Sequence, residues 1–167
     1  MPLLTSLGLS AATATTTIPN YGPAALIFHF LFAYGILSSR TLKQMYGLDN
    51  NVSPREDLAK HGDAAVREGK ISQKTLDMLK RNESAHANSV ENYTLLVAGV
   101  SLATFAGVDR VVVNRAVAMY TIARIAYAIV YITIDRPRLS QLRGICWWTG
   151  NLSCLTLLWK AGKLLSA

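Results

Sequence analysis

Charge is distributed along this chain in blocks, and that distribution limits what the chain can fold into. No Lys, Arg, Asp or Glu occurs from Met1 to Ser39. Arg40 to Glu83 then holds nine of the 17 basic residues and seven of the ten acidic ones, and only eight basic and two acidic residues remain from Asn92 to Ala167. A soluble domain spreads charge over its whole surface, typically about 25% of its residues. Here 16% of 167 residues are charged and 51% are hydrophobic. The same composition excludes disorder, coiled coil and collagen, and leaves a membrane protein as the leading class. The net charge of +7 could suggest nucleic acid, but that reading needs a basic patch on a soluble fold. In this chain the cations flank apolar runs, the pattern of membrane orientation. The expected partners are membrane lipids, not nucleic acid.

At roughly 20 residues per crossing, there is room for four spans in one domain over residues 1–167, predicted at about 23–43, 75–107, 111–134 and 143–162. The fold class is all-α, an integral membrane four-helix bundle, left-handed. Met1 to Thr17 reads as a loose amino-terminal arm without the basic region of a signal peptide. Pro23 suits a first helical turn, and Arg40 and Lys43 are the charged ends of the first span. The 44–72 connection is polar, mixed in charge and long. The second helix begins near Ser72, starts in water and ends in lipid. Residues 106–109 (AGVD) form a turn, and Pro137 ends the third helix. Basic residues concentrate in connections one and three, which places both in the cytosol and both termini on the far side.

Polar residues inside lipid face a bundle interior and mark a site. Asn88, Glu91, Arg124 and Tyr131 are of this kind. At spacings of three and four, Arg81, Ser84, Asn88 and Glu91 share one helix face, and so do Tyr120, Arg124, Tyr127 and Tyr131. Arg143, Trp147, Gly150 and Cys154 line up on the fourth helix. One reading is a structural seam in which Glu91 pairs with Arg124. Interhelical polar contacts in membranes contribute only about 0.6–2 kcal/mol each, and one such pair would suffice. The surplus polarity favours a site for a polar, anionic ligand.

Residues 81–92 (RNESAHANSVEN), 124–131 (RIAYAIVY) and 142–150 (LRGICWWTG) resemble the second-, third- and fourth-helix motifs of the MAPEG family, the membrane-associated proteins in eicosanoid and glutathione metabolism. The resemblance spans about Pro23 to Lys163. It implies a homotrimer in the endoplasmic reticulum or a related endomembrane, with glutathione as co-substrate between subunits near the cytosolic face. Arg81, Asn88, Glu91 and Arg124 would hold its charged backbone, with Arg40 reaching in from the neighbouring first helix. Tyr127 and Tyr131 would line the site. Arg143 would face the thiol, with Tyr131 as the second catalytic residue. A guanidinium beside a thiol of pKa about 8.5 favours the nucleophilic thiolate. The implied function is a glutathione-dependent transferase or reductase, acting on a lipophilic substrate that arrives from the bilayer.

Relatives often carry arginine where this chain has Ser84 and Ala87, and serine where it has Gly144. Loss of those donors keeps a second reading open: an isomerase or cyclase of a hydrophobic metabolite that does not consume glutathione. A non-catalytic lipid-presenting scaffold is a third, which Arg143 with Tyr131 disfavours. His29, His61 and His86 read as packing or solvated residues. No metal is expected from three scattered histidines. Cys146 and Cys154 read as small apolar residues. Trp147, Trp148 and Trp159 fit interfacial belts. The Asn-x-Ser/Thr matches at Asn51, Asn82, Asn92 and Asn151 fall in cytosolic or membrane segments, so no glycosylation is expected.

Overall fold

In the computed structural model, which describes residues 3–10 and 17–167, every regular element among those residues is helical. The order is α1 (Leu3–Ser6), α2 (Gly22–Leu31) running into a π-helical turn (Phe32–Ile36), α3 (Ser39–Met45), α4 (Asp57–Arg67), α5 (Gln73–Phe105), α6 (Arg110–Thr133), α7 (Pro137–Ser140) and α8 (Leu142–Leu165). Helices α5, α6 and α8 pack on one another, α2 lies against α5 and α6, and α3 and α4 sit on α5.

The helix ends follow from local chemistry. The Ser72 hydroxyl accepts the Thr75 N–H at 3.1 Å and starts α5, and Asp109 accepts the N–H groups of Val111 and Val112 to start α6. Each cap satisfies donors that the first helical turn would otherwise leave open. Gly107 closes α5 with φ of 74°, a left-handed conformation that costs a glycine nothing. The π-turn leaves the Ala33 carbonyl without a backbone partner, because Leu37 N–H donates to Phe32 and Ser38 N–H to Gly35. His86 on α5 fills that vacancy: its Nδ1 donates to the Ala33 carbonyl at 3.0 Å.

Two segments, Gly22–Met45 and Arg110–Thr133, are long and apolar enough to cross a bilayer, with mean hydropathy 1.4 and 1.5. Helices α6 and α8 bury small apolar side chains such as Val113, Val117, Leu157 and Ala161, but their outer faces are unlike those of a soluble protein. Ile122, Ile125, Ile129, Ile145, Trp148 and Leu152 are exposed, whereas Asn114, Arg124 and Asn151 are buried. Water would penalise that outer surface, and hydrocarbon would not. The chain is a membrane protein.

Three expectations require correction. The 44–72 connection contains α4, whose Leu58 and Ala65 form a small core with Leu48, Ile71, Leu76 and Leu79. Gly62 lets α4 approach α5, since a Cβ there would meet the Leu76 side chain at 2.6 Å. The amino-terminal arm is not loose where it is described. Asn114 of α6 donates to the Ser6 and Pro19 carbonyls, both at 2.9 Å, and accepts the Tyr21 N–H at 2.8 Å. Arg115 donates to the carbonyls of Leu7 and Gly8. Residues 1–2 and 11–16 of that arm lie outside the described residues. Finally, Lys43 is not a solvated helix end. It is 1% exposed, donates to the Pro54 carbonyl, and pairs with Asp57 at 3.4 Å and Glu83 at 3.6 Å.

Candidate functional site

Arg124 lies at the meeting of α5, α6 and α8. Its Nη2 donates to Asn88 Oδ1 at 3.0 Å and to Ser89 Oγ at 3.1 Å, while its Nη1 is buried without a hydrogen-bond partner among the described residues. Gly150 of α8 packs against Arg124, where a Cβ would stand in van der Waals contact with Arg124 Cδ at 3.4 Å. One turn on, the Arg124 guanidinium lies over the Tyr127 ring, with Cζ 4.4 Å from its centroid. Tyr127 meets Tyr131 edge to face at 5.5 Å, and Arg143 of α8 lies over the Tyr131 ring at 4.1 Å. The i, i+3, i+7 spacing of Arg124, Tyr127 and Tyr131 puts them on one face of α6. The result is a continuous series, Asn88–Arg124–Tyr127–Tyr131–Arg143, with a cation at each end of a tyrosine pair. Arg124 is fully enclosed, and Tyr131 and Arg143 are half-buried. The Tyr131 π-face thus holds the Arg143 guanidinium, and no carboxylate among the described residues pairs with it.

Arg81 joins the far end of this series indirectly, its Nε donating to the Ile132 carbonyl at 3.1 Å. This contact satisfies an orphan acceptor in the last turn of α6 and favours the negative end of the helix dipole. Glu91 is exposed, and the Glu91–Arg124 pairing of the alternative seam reading does not form: Arg124 uses Asn88 and Ser89 instead. A one-turn offset along α5 separates the two acceptor positions, and spacing on one helix cannot say which residue a second helix meets. Arg40 also stands apart from the series. Its Nε and Nη2 grip Asp49 at 3.0–3.1 Å, and Nη2 also donates to Asn51. The Arg40 guanidinium holds the Asp49 carboxyl below the usual carboxylate range.

Beneath the series lies a polar network that spacing did not reveal. Asn92 Nδ2 donates to Asn151 Oδ1 at 2.6 Å, and the Tyr120 hydroxyl donates to Asn92 Oδ1 at 2.8 Å. All three are buried, so α5, α6 and α8 are tied at the level just below Arg124. His29 is likewise buried and bonds Thr121 across 2.9 Å. Ser89 and Asn151 are therefore residues of the site's support that sequence reasoning missed, whereas Gly150 was already on the Arg143 face. Their one signal was position, Ser89 beside Asn88 and Asn151 beside Gly150.

Among the described residues no cluster of three metal-ligating side chains occurs. The arrangement can bind an anion and lower the cost of negative charge next to Arg143. The sequence profile of the MAPEG family matches residues 21–163, from the start of α2 into the last turn of α8. No curated protein and no solved structure gives a match. With its three motifs on three packed helices and the profile covering nearly its whole length, the chain belongs to the MAPEG family.

Proposed function

We propose that the protein is a membrane-embedded enzyme that uses glutathione to conjugate or reduce a lipophilic electrophile. The observation that carries this reading is the pair of guanidinium groups, Arg124 and Arg143, flanking Tyr127 and Tyr131 beside Asn88. The residues present fit a peptide-like anion, because Arg124 Nη1 is buried with no partner among the described residues and such a group costs about 1–3 kcal/mol unless something satisfies it. In this reading Arg81, Asn88, Glu91, Arg124, Tyr127 and Tyr131 hold the charged backbone, and Arg40 contributes from a neighbouring subunit of a homotrimer. The chain crosses the bilayer four times, and the site lies near the cytosolic face of the endoplasmic reticulum or a related endomembrane. Lipophilic substrate enters laterally from lipid.

Glutathione supplies the sulfur nucleophile when bound. The Arg143 guanidinium stabilises negative charge on a sulfur held beside it. The Tyr131 hydroxyl adds a hydrogen-bond donor at the same place, and the Arg143 guanidinium over its ring orients both. Desolvation by the surrounding helices strengthens these interactions relative to water.

Arg143→Ala tests the assignment. Loss of one such electrostatic donor should cut turnover about a hundredfold, raise the pH at which the bound thiolate absorbance forms, and leave glutathione binding by calorimetry nearly unchanged. A thiolate curve identical in wild type and variant would remove Arg143 from the chemistry. Failure of the wild type to bind glutathione would overturn the reading itself.

A further inference from the structure

A second concave feature, of about 400 Å³, lies between the π-turn, α5 and the 48–57 segment, lined among others by Tyr34, Ser39, Arg55, His86 and Glu91. Its volume is in the range of small-molecule sites. Of the charged groups on its wall, Glu83 is engaged by Lys43 at 3.6 Å, and the His86 ring is tied through Nδ1 to the Ala33 carbonyl. Arg55 and Glu91 have no ion-pair or hydrogen-bond partner among the described residues, so the cleft presents one available cation and one available anion.

Arg55 is fixed at its backbone and free at its head. The preceding residue, Pro54, gives its carbonyl to buried Lys43, and Asp57 two residues later is paired with the same Lys43. Upstream, Asp49 and Asn51 are clamped by Arg40. The 48–57 segment is thus a strap fastened before and after Arg55, and Arg55 is the side chain that it contributes to the cleft lining. Holding the strap this way removes much of the ordering cost that a ligand would otherwise incur on engaging a loop cation.

We propose that Arg55 is a ligand-binding residue that takes a carboxylate of an amino-acid-like group whose ammonium faces Glu91. The two charges lining one cleft, Arg55 from the strap and Glu91 from α5, suit a ligand end in which ammonium and carboxylate share a carbon, as in the γ-glutamyl end of glutathione. Arginine meets a carboxylate through two parallel N–H donors, so the recognition is geometric as well as electrostatic. This assignment rests on the glutathione reading above and adds to it a residue from the strap.

The test is calorimetric titration of the full-length protein in lipid nanodiscs with two peptides, glutathione and 4-aminobutyryl-cysteinyl-glycine, which keeps the ammonium and lacks the neighbouring carboxylate. Arg55→Gln should weaken glutathione about tenfold, the scale of one hydrogen bond to a charged group. The analogue should bind wild type and Arg55→Gln equally. Unchanged glutathione affinity in the variant, or the same loss for both peptides, would overturn the role of Arg55 alone. If the wild type binds neither peptide, the glutathione reading falls and this assignment with it.

Discussion

The strap end and the three-helix interior around Arg124 solve opposite problems with the same physics. At the strap end, apolar side chains from α4 and α5 (Leu58, Leu76 and Leu79) are 0–2% exposed, and charges meet at the edges, as in Arg40 with Asp49. Around Arg124, buried polar side chains (Asn92, Arg124 and Asn151) lie beside an apolar core of Leu96, Val117 and Leu157, while large apolar side chains such as Ile122, Ile129 and Trp148 are exposed. Water drives the first arrangement by expelling apolar surface. Hydrocarbon cannot drive the second, so packing and hydrogen bonds hold it. Lys43 belongs to the strap end and breaks its rule, being a charge in a core.

That exception gives the largest expected effect. Lys43→Met should destabilise the protein by about 3–5 kcal/mol, because it leaves Asp57 buried and uncompensated. The double substitution Lys43→Met with Asp57→Leu should recover most of this in detergent denaturation curves. A single variant as stable as wild type would show that the buried pair contributes nothing.

A matched pair of truncations then separates the two solvents. Leu79→Ala, in the strap core, should cost about 2–5 kcal/mol through lost burial and a residual cavity. Ile129→Ala, on the outer face of α6, should stay within about 0.5 kcal/mol. Equal losses in thermal unfolding would mean that Ile129 is packed against protein and that the outward face is not lipid-facing. Tyr120→Phe is smaller again, about 1 kcal/mol from one lost hydrogen bond to Asn92, and should be silent in a variant that already carries Asn92→Leu.

The smallest effect is a pH dependence at the strap. Asp49 has its pKa lowered in the folded state by the hydrogen bonds and charge of Arg40, so its contribution is complete above the unfolded carboxylate pKa of about 3.9. It is lost as pH falls through the lower folded value. Limited proteolysis of the strap should therefore accelerate only in that acid window, and Asp49→Asn should abolish the step. Acceleration already at pH 6 would point to a different group.

Much of the helical frame was legible because its signals are local. Ser72 and Asp109 are caps, Pro137 is a stop, and apolar runs mark Gly22–Met45 and Arg110–Thr133. The shared face of Arg124, Tyr127 and Tyr131 was legible too, since α-helical spacing fixes it. Helix α4 was overlooked in a polar stretch, although Leu58, Gly62 and Ala65 repeat at four and three. A short amphipathic stripe becomes a helix only when a partner such as Leu76 covers it.

What the sequence by itself determined is therefore the membrane class, the helix ends and which side chains share a face, all properties set by neighbours a few residues apart. Only the tertiary structure decided that Arg124 meets Asn88 and Ser89 rather than Glu91, that Arg143 stacks on Tyr131, that Asn114 anchors the amino-terminal arm, and that Lys43 is enclosed. Each of these pairings depends on how far one helix is rotated and shifted along another. That relation is set by close contacts such as Gly150 on Arg124 and Gly99 on Cys154, between residues far apart in the chain, and spacing along a single helix carries no record of it.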